Sequence, residues 1–222
     1  MTVEGLRLLI RRKIIKYTHN RRKKQLVNDK FTIISNNCWG GMVYESFGIV
    51  KQSPTVGLFF MADEYIKFLK KFPDVLYKEI EFIEPETSQY VEYLKSDSRF
   101  GHYPIGKIDD VEICFLHYHS KDEVLQKWKR RCERIDFDHI IFKMNDQNQC
   151  TKDHLIQFSQ LPFLNKIVFS INKYDIPNLY VIKGRKTQTS ILASQEPIVF
   201  RKYYDVIQAI NQLYTNDYKN IK

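Results

Sequence analysis

The sequence predicts an α/β fold: a three-layer α/β/α, Rossmann-like arrangement around a mainly parallel sheet, preceded by a basic amphipathic helix. Three observations lead there. Short apolar runs alternate with helix-length amphipathic segments from residue 31 onward. This alternation of strand and helix is the pattern of parallel sheets covered on both faces. The chain has 222 residues and 43% hydrophobic composition, enough for one sizeable core without disulfide staples. The charge is segregated: residues 1–24 hold nine basic side chains against Glu4, and the remainder holds 26 basic against 25 acidic. The expected organisation is therefore a helix over 1–28 and one α/β domain over 29–222, with room for two sublobes.

The N-terminal segment reads EGLRLLIRRKIIKYTHNRRKKQL. Leu6, Leu9, Ile10, Lys13 and Ile14 recur at helical spacing, so one apolar stripe is expected. Interspersed Arg and Lys exclude a signal peptide, and no stretch is long and apolar enough to cross a bilayer. Two roles stay open: packing of the stripe on the body, or an anionic membrane surface met by residues 1–24. Nucleic acid is not an expected partner, because no reader motif or aromatic-interleaved basic patch occurs beyond the arm.

Element by element, Phe31–Ile34 reads as a strand, Trp39–Val50 as a helix and Val56–Phe60 as a short extended run. Ala62–Lys71 and Pro73–Glu79 read as helices, the second opened by Pro73. Pro104 and Gly106 mark Tyr103–Ile108 as a loop. Val111–Tyr118 reads as a strand and Lys121–Arg134 as an amphipathic helix. His139–Met144 is a strand, and Thr151–Gln160 is a helix capped by Thr151. Lys166–Ile171 and Leu179–Ile182 are strands, and Arg201–Tyr214 closes the chain as a helix.

Ligands of such sheets bind beyond the C-terminal ends of the strands. That places Ser35-Asn36-Asn37-Cys38-Trp39-Gly40-Gly41 on the expected rim. A thiol at a helix start meets the positive end of the dipole, and the asparagines with free N–H groups suit an oxyanion or phosphate. Gly40 and Gly41 permit close approach of a ligand or of packed neighbours. Cys38 is a nucleophile on the first reading and a small packed residue on the second. Strand alternation puts His117 and His119 on one face, where His117 suits a general base. A metal site has weaker grounds, since no third ligand has defining spacing, and none is expected. Lys107 and Asp110 flank the entry to the histidine strand. Asp146 follows the next one, where a ribose-binding acid or an ordinary cap would sit. The four cysteines are widely spaced without a Cys-x-x-Cys pair, which fits free thiols in a reducing compartment.

The ordered blocks ISNNCWGG, YPIGKIDDVEICFLHYHS, KWKRRCERID and FKMNDQNQCT with LPFLNKIVFS resemble the bacterial exopolysaccharide-biosynthesis proteins grouped as domain of unknown function 1919. The resemblance runs from about Phe31 to Tyr204. It implies a part in surface-polysaccharide assembly and singles out Ser35, Asn36, Asn37, Cys38, Gly40, Gly41, Asp110, His117 and Asp146. The family pattern carries histidine at the position of Cys114 and lysine or a similar residue at His119, which removes support from a His-x-His metal site. SNNCWGG also resembles the strand-end Gly-Asn-Cys-Gln loop of a coenzyme-A-binding capsule family. That likeness implies acyl transfer to a sugar hydroxyl, a coenzyme A thioester as donor, Cys38 and His117 as catalytic residues and a sugar or polyprenyl-linked glycan as substrate. The expected location is cytoplasmic, at the inner face of the membrane. A nucleotide-sugar-binding, glycosyltransferase-like enzyme and a non-catalytic glycan- or protein-binding module are the rival expectations.

Overall fold

The computed structural model describes residues 3–199 and 201–215. Met1 and Thr2 of the predicted arm, the Val3 and Glu4 side chains, Phe200 and residues 216–222 lie outside the described residues. Helix α1 spans Val3–Lys23, followed by β1 (Thr32–Ser35), α2 (Trp39–Phe47) and α3 (Ala62–Lys70). Then come β2 (Glu81–Ile83), the short α4 (Val91–Leu94), β3 (Ile105–Ile108) and β4 (Val111–Cys114). The chain continues through α5 (Lys121–Cys132), β5 (Ile140–Asn145), α6 (Lys152–Gln160), β6 (Lys166–Ser170), β7 (Leu179–Val181) and α7 (Val206–Thr215).

Two sheets result. Strands β1, β5, β6 and β7 lie in that order and pair in parallel, with Ser35 opposite Lys143 and Asn145 opposite Phe169. Strands β2, β3 and β4 form a small antiparallel sheet. The parallel sheet matches the sequence expectation; the second sheet corrects it. Tyr103–Ile108 is not a loop, since its last four residues form the central strand β3. Gly106 serves the strand rather than a turn, because a Cβ there would lie 2.8 Å from Ile80 Cγ2. The expected strand Val111–Tyr118 stops at Cys114, where the Leu116 N–H turns back to the Cys114 carbonyl. Asp109, at φ 60°, and Asp110 form the tight connection between β3 and β4. Aspartate is among the few residues that enter this left-handed region readily.

Alternation along the parallel strands splits the core. Ile34, Phe142, Met144 and Val168 pack with Tyr65 and Phe68 of α3, Trp128 of α5 and Phe158 of α6. Their neighbours Ile33, Ile141 and Phe169 belong to a second cluster with Trp39, Val43 and Phe47 of α2 and Ile207, Ile210 and Leu213 of α7. Burial of each such side chain contributes about 1.5–3 kcal/mol.

Helix α1 packs the opposite way from an ordinary amphipathic helix. Among the described residues its buried side chains are Arg11 and Arg22, while Leu6, Leu9 and Ile10 are 46%, 46% and 50% exposed. Arg11 donates to the carbonyls of Ala193 (3.0 Å), Ser194 (2.7 Å) and Glu196 (2.8 Å). Arg22 donates to the carbonyls of Ile198 and Val199, and its guanidinium lies 4.9 Å from the centre of the Phe47 ring. After a single 3-10 turn over Ala193–Gln195 the segment runs irregularly to 199 and leaves carbonyls without sheet partners. Guanidinium groups, with five N–H donors in a planar fork, satisfy several of them at once.

Candidate functional site

The C-terminal ends of β1 and β5 carry a buried polar network. Lys143 sits between Phe142 and Met144 in β5 and forms a fully buried ion pair with Glu196. Its ammonium also donates to Asn37 Oδ1 at 2.9 Å, while burial pushes its pKa down and Glu196 pulls it back. Asn36 Nδ2 donates to Asn145 Oδ1 at 2.8 Å, and Asn145 Nδ2 donates to Glu196 Oε1 at 2.9 Å. Asn37 Nδ2 reaches Gln147 Oε1 at 3.0 Å and Glu196 at 3.2 Å. Each of these groups is satisfied inside the protein, as a buried polar network requires.

That satisfaction changes how the predicted oxyanion loop reads. The Trp39 N–H at the start of α2 donates to Asn37 Oδ1 (3.1 Å), and the Gly40 N–H donates to Ser35 Oγ (3.4 Å). Ser35 Oγ in turn donates to the Asn37 carbonyl. Ser35, Asn36 and Gly40 are buried, and local side chains hold the helix start. The glycines serve packing. A Cβ on Gly41 would lie 2.8 Å from Val56 Cγ1, and one on Gly40 would lie 3.1 Å from Ile33 Cγ2. The Cys38 thiol donates weakly to the Leu58 carbonyl (3.6 Å). Burial and the nearby Glu196 push its pKa up to about 12, Arg99 and Lys143 opposing. A thiol so placed is protonated at neutral pH, unlike an activated cysteine.

Four of the predicted residues, Asn37, Cys38, Gly41 and His117, line one cleft of about 850 Å³. Its walls come from α1, α2, the 93–99 segment, the 56–59 run and the turn after β4. The His117 N–H donates to the Gly57 carbonyl at 2.9 Å, so the backbone of the 56–60 run fixes the turn that presents the imidazole. Gly57 has φ 83°, a conformation that favours glycine. The His117 side chain is exposed to the cleft. Desolvation by the cleft wall, then Arg99, Arg12 and Lys51, lowers its pKa from the ordinary 6.5, Glu45 opposing. Behind it Tyr118 donates to the Val56 carbonyl (2.8 Å), and Arg131 donates to that carbonyl and to the Tyr118 hydroxyl (2.5 Å).

The cleft lining carries six cationic side chains, Arg11, Arg12, Lys51, Arg99, Lys127 and Arg131, against two carboxylates, Glu45 and Asp97. Lys51 pairs with Glu45 at 2.9 Å, Arg99 with Asp97 at 2.8 Å and Lys127 with Glu123 just outside the lining, which leaves Arg11, Arg12 and Arg131 as the excess. A concave surface with this excess of positive charge concentrates anions.

Three predicted residues lie elsewhere. Asp110 is on the β3–β4 hairpin, exposed and paired with Lys71 at 2.5 Å, and Lys107 sits on β3 of the small sheet. Asp146 is buried against the 170–191 region. It accepts from Ser170 Oγ and from the N–H groups of Ile171 and Ile191, all at 2.8 Å, which is a structural duty. Sequence reasoning did not single out Lys143, Glu196 or Arg99. Lys143 carried a signal, a lysine inside the apolar run IIFKMN. Among the described residues no group of three His, Cys, Asp or Glu side chains is placed to hold a metal ion. Among them no helix is long and apolar enough to cross a membrane.

The sequence profile of a domain of unknown function (DUF1919) matches residues 10–214. The chain belongs to the DUF1919 family. An uncharacterized protein of Haemophilus influenzae is 31% identical over 170 residues, which is 76% of this chain and 76% of that protein. The DUF1919 match takes in both sheets, the Lys143–Glu196 network and most of the cleft lining, including Arg11, Arg12 and Arg99 of its cationic set.

Proposed function

We propose that this DUF1919 protein is a cytoplasmic transferase of bacterial surface-polysaccharide assembly, acting on a sugar hydroxyl and binding a phosphate-bearing substrate in the cleft. The observation that carries this reading is the cationic cleft with the His117 imidazole on its wall. A histidine biased toward its neutral form is suited to general-base work near pH 7. The position of the cleft beside the C-terminal ends of β1 and β5 fits a Rossmann-like core, in which ligands sit beyond the strand ends.

The donor we favour is a coenzyme A thioester, whose nucleotide phosphates match the cation set. His117 would take the proton of the sugar hydroxyl as the oxygen bonds to the acyl carbon. The carbon–sulfur bond breaks, and coenzyme A leaves as a thiolate that takes up a proton. Cys38 then forms part of the substrate wall and no covalent intermediate is required, consistent with its protonated thiol. Asn37 and Gly41 border the substrate, and Lys143 and Glu196 hold Asn37 in place.

The same cations favour a second reading, a nucleotide-sugar-dependent glycosyl transfer. Thermal-shift titration separates the two. Stabilisation by coenzyme A and its thioesters supports acyl transfer, and stabilisation by UDP- or GDP-sugars alone supports glycosyl transfer. His117→Gln should lower kcat by about 10²–10⁴ without loss of folding. Full turnover in that variant would remove the base from the scheme. A chain stabilised by none of these nucleotides would remove the phosphate-bearing substrate as well.

A further inference from the structure

Helix α1 presents two surfaces with different tasks. One side carries Arg11 and Arg22 into the body and lends Leu8, Arg11, Arg12 and Ile15 to the cleft wall. The other side leaves Leu6, Leu9, Ile10 and Tyr17 exposed, Tyr17 at 84%. On a helix of 3.6 residues per turn these four fall within about 100° of one another, with Lys13 between them. Arg7, Lys13 and Lys16 are exposed around the same row. Between residues 5 and 24 the sequence holds no Asp or Glu.

A helix on a soluble body ordinarily turns such a row inward. Here the inward positions are occupied by two arginines that hold backbone carbonyls, so the outward placement is fixed by the fold. An apolar strip with an aromatic residue, bordered only by cations, is the composition of helices that lie in the headgroup layer of anionic membranes. The charge pattern also opposes pairing with a second copy of the same face, since like charges would meet.

We propose that α1 seats the protein on an anionic lipid bilayer through Leu6, Leu9, Ile10 and Tyr17, so that the cleft it walls opens at the headgroup layer. The distance from the lipid-facing side of α1 to the cleft side is one helix diameter, about 10 Å. A ligand held in the membrane by a hydrocarbon chain can then place a phosphate-bearing head beside Arg12 and Arg99. This last step, which names the substrate as a lipid-linked phosphosugar, rests on the function proposed above; the docking of α1 does not.

The test is flotation of the full chain with phosphatidylcholine vesicles, with and without phosphatidylglycerol. The chain should float only with the anionic vesicles. The doubly substituted Leu9→Glu/Ile10→Glu chain should partition at least about tenfold less, at unchanged melting temperature. High salt should weaken the wild-type binding. Absence of flotation, or equal flotation of the substituted chain, overturns the proposal. So does a concentration-dependent dimer that the substitutions abolish while vesicle binding is absent. Nucleotide binding in the thermal-shift assay should be unchanged by the substitutions. Retained nucleotide binding without flotation defeats the membrane inference alone. Flotation without nucleotide binding defeats the proposed function alone.

Discussion

Lys143 and Glu196 form an ion pair in which both side chains are fully buried, although 53 positions separate them in the chain. The pair fastens an irregular late segment to the second strand of the parallel sheet, next to the cleft. Desolvation of both charges opposes it, and its contribution depends on the surrounding asparagines completing the hydrogen bonding. Removing one partner strands the other in the core. Lys143→Met and Glu196→Gln should each lower unfolding free energy by about 3–5 kcal/mol, read from urea denaturation. The double variant should recover part of that loss, because it leaves no unpaired charge in the core. Additive losses would show that the two do not act as a pair.

Gly41 allows α2 to rest against the 56–60 run. Gly41→Ala places a Cβ 2.8 Å from Val56 Cγ1, which requires either residue to move. The expected cost is about 1–3 kcal/mol. Gly41→Ala combined with Val56→Ala should be less damaging than the two single effects added together, by the same denaturation measurement.

His117 should titrate below the ordinary histidine value of 6.5, from desolvation first and then from Arg99, Arg12 and Lys51. Between that lowered value and 6.5 the unfolded chain binds more protons than the folded one. The histidine's share of stability therefore rises with pH through this window and is lost as pH falls through it. Arg99→Ala removes the leading charge that opposes protonation, so the imidazole midpoint, followed by NMR, should move up. The acidic limb of the transferase pH profile should move up with it. An unchanged midpoint would separate Arg99 from His117.

Cys38, with its thiol pKa pushed to about 12, should react with iodoacetamide at pH 8 roughly a hundredfold or more slowly than a free thiol. Cys38→Ser should keep most of the turnover if the residue is a wall of the cleft. Loss of turnover in Cys38→Ser together with fast alkylation of the native chain would restore a nucleophilic role.

The parallel sheet was legible because its strands are buried on both faces and so read as apolar runs, such as Phe31–Ile34 and Ile140–Phe142. The antiparallel sheet was not. Pro104 and Gly106 mimic a turn in β3, where packing against Ile80 requires the glycine. The apolar run from Val111 to Tyr118 disguised the turn after Cys114, and with it the placement of His117. The cleft was half legible. Asn37, Cys38, Gly41 and His117 come from turn residues next to strands, which composition marks. Lys143 and Glu196 pair across the fold, and Arg11, Arg12, Lys51, Arg99 and Arg131 converge from four separate stretches. No local spacing encodes such a meeting. The reversed packing of α1 was hidden for a related reason: its arginines are drawn inward by carbonyls of residues 193–199, which periodicity within the helix cannot register.

Arg11 and its acceptor at Ala193 stand 182 residues apart in the chain. Asn211 of α7 ties in the same region, accepting from the Val27 N–H at 2.8 Å and donating to the Gln25 carbonyl at 2.9 Å. During translation α1 is therefore made before, and its anchoring carbonyls after, every strand of the parallel sheet. At ordinary elongation rates that interval is on the order of ten seconds. In that interval α2, made soon after, already offers Phe47 and Ser46 to Arg22, but the carbonyls that hold Arg11 arrive only with the last stretch of synthesis.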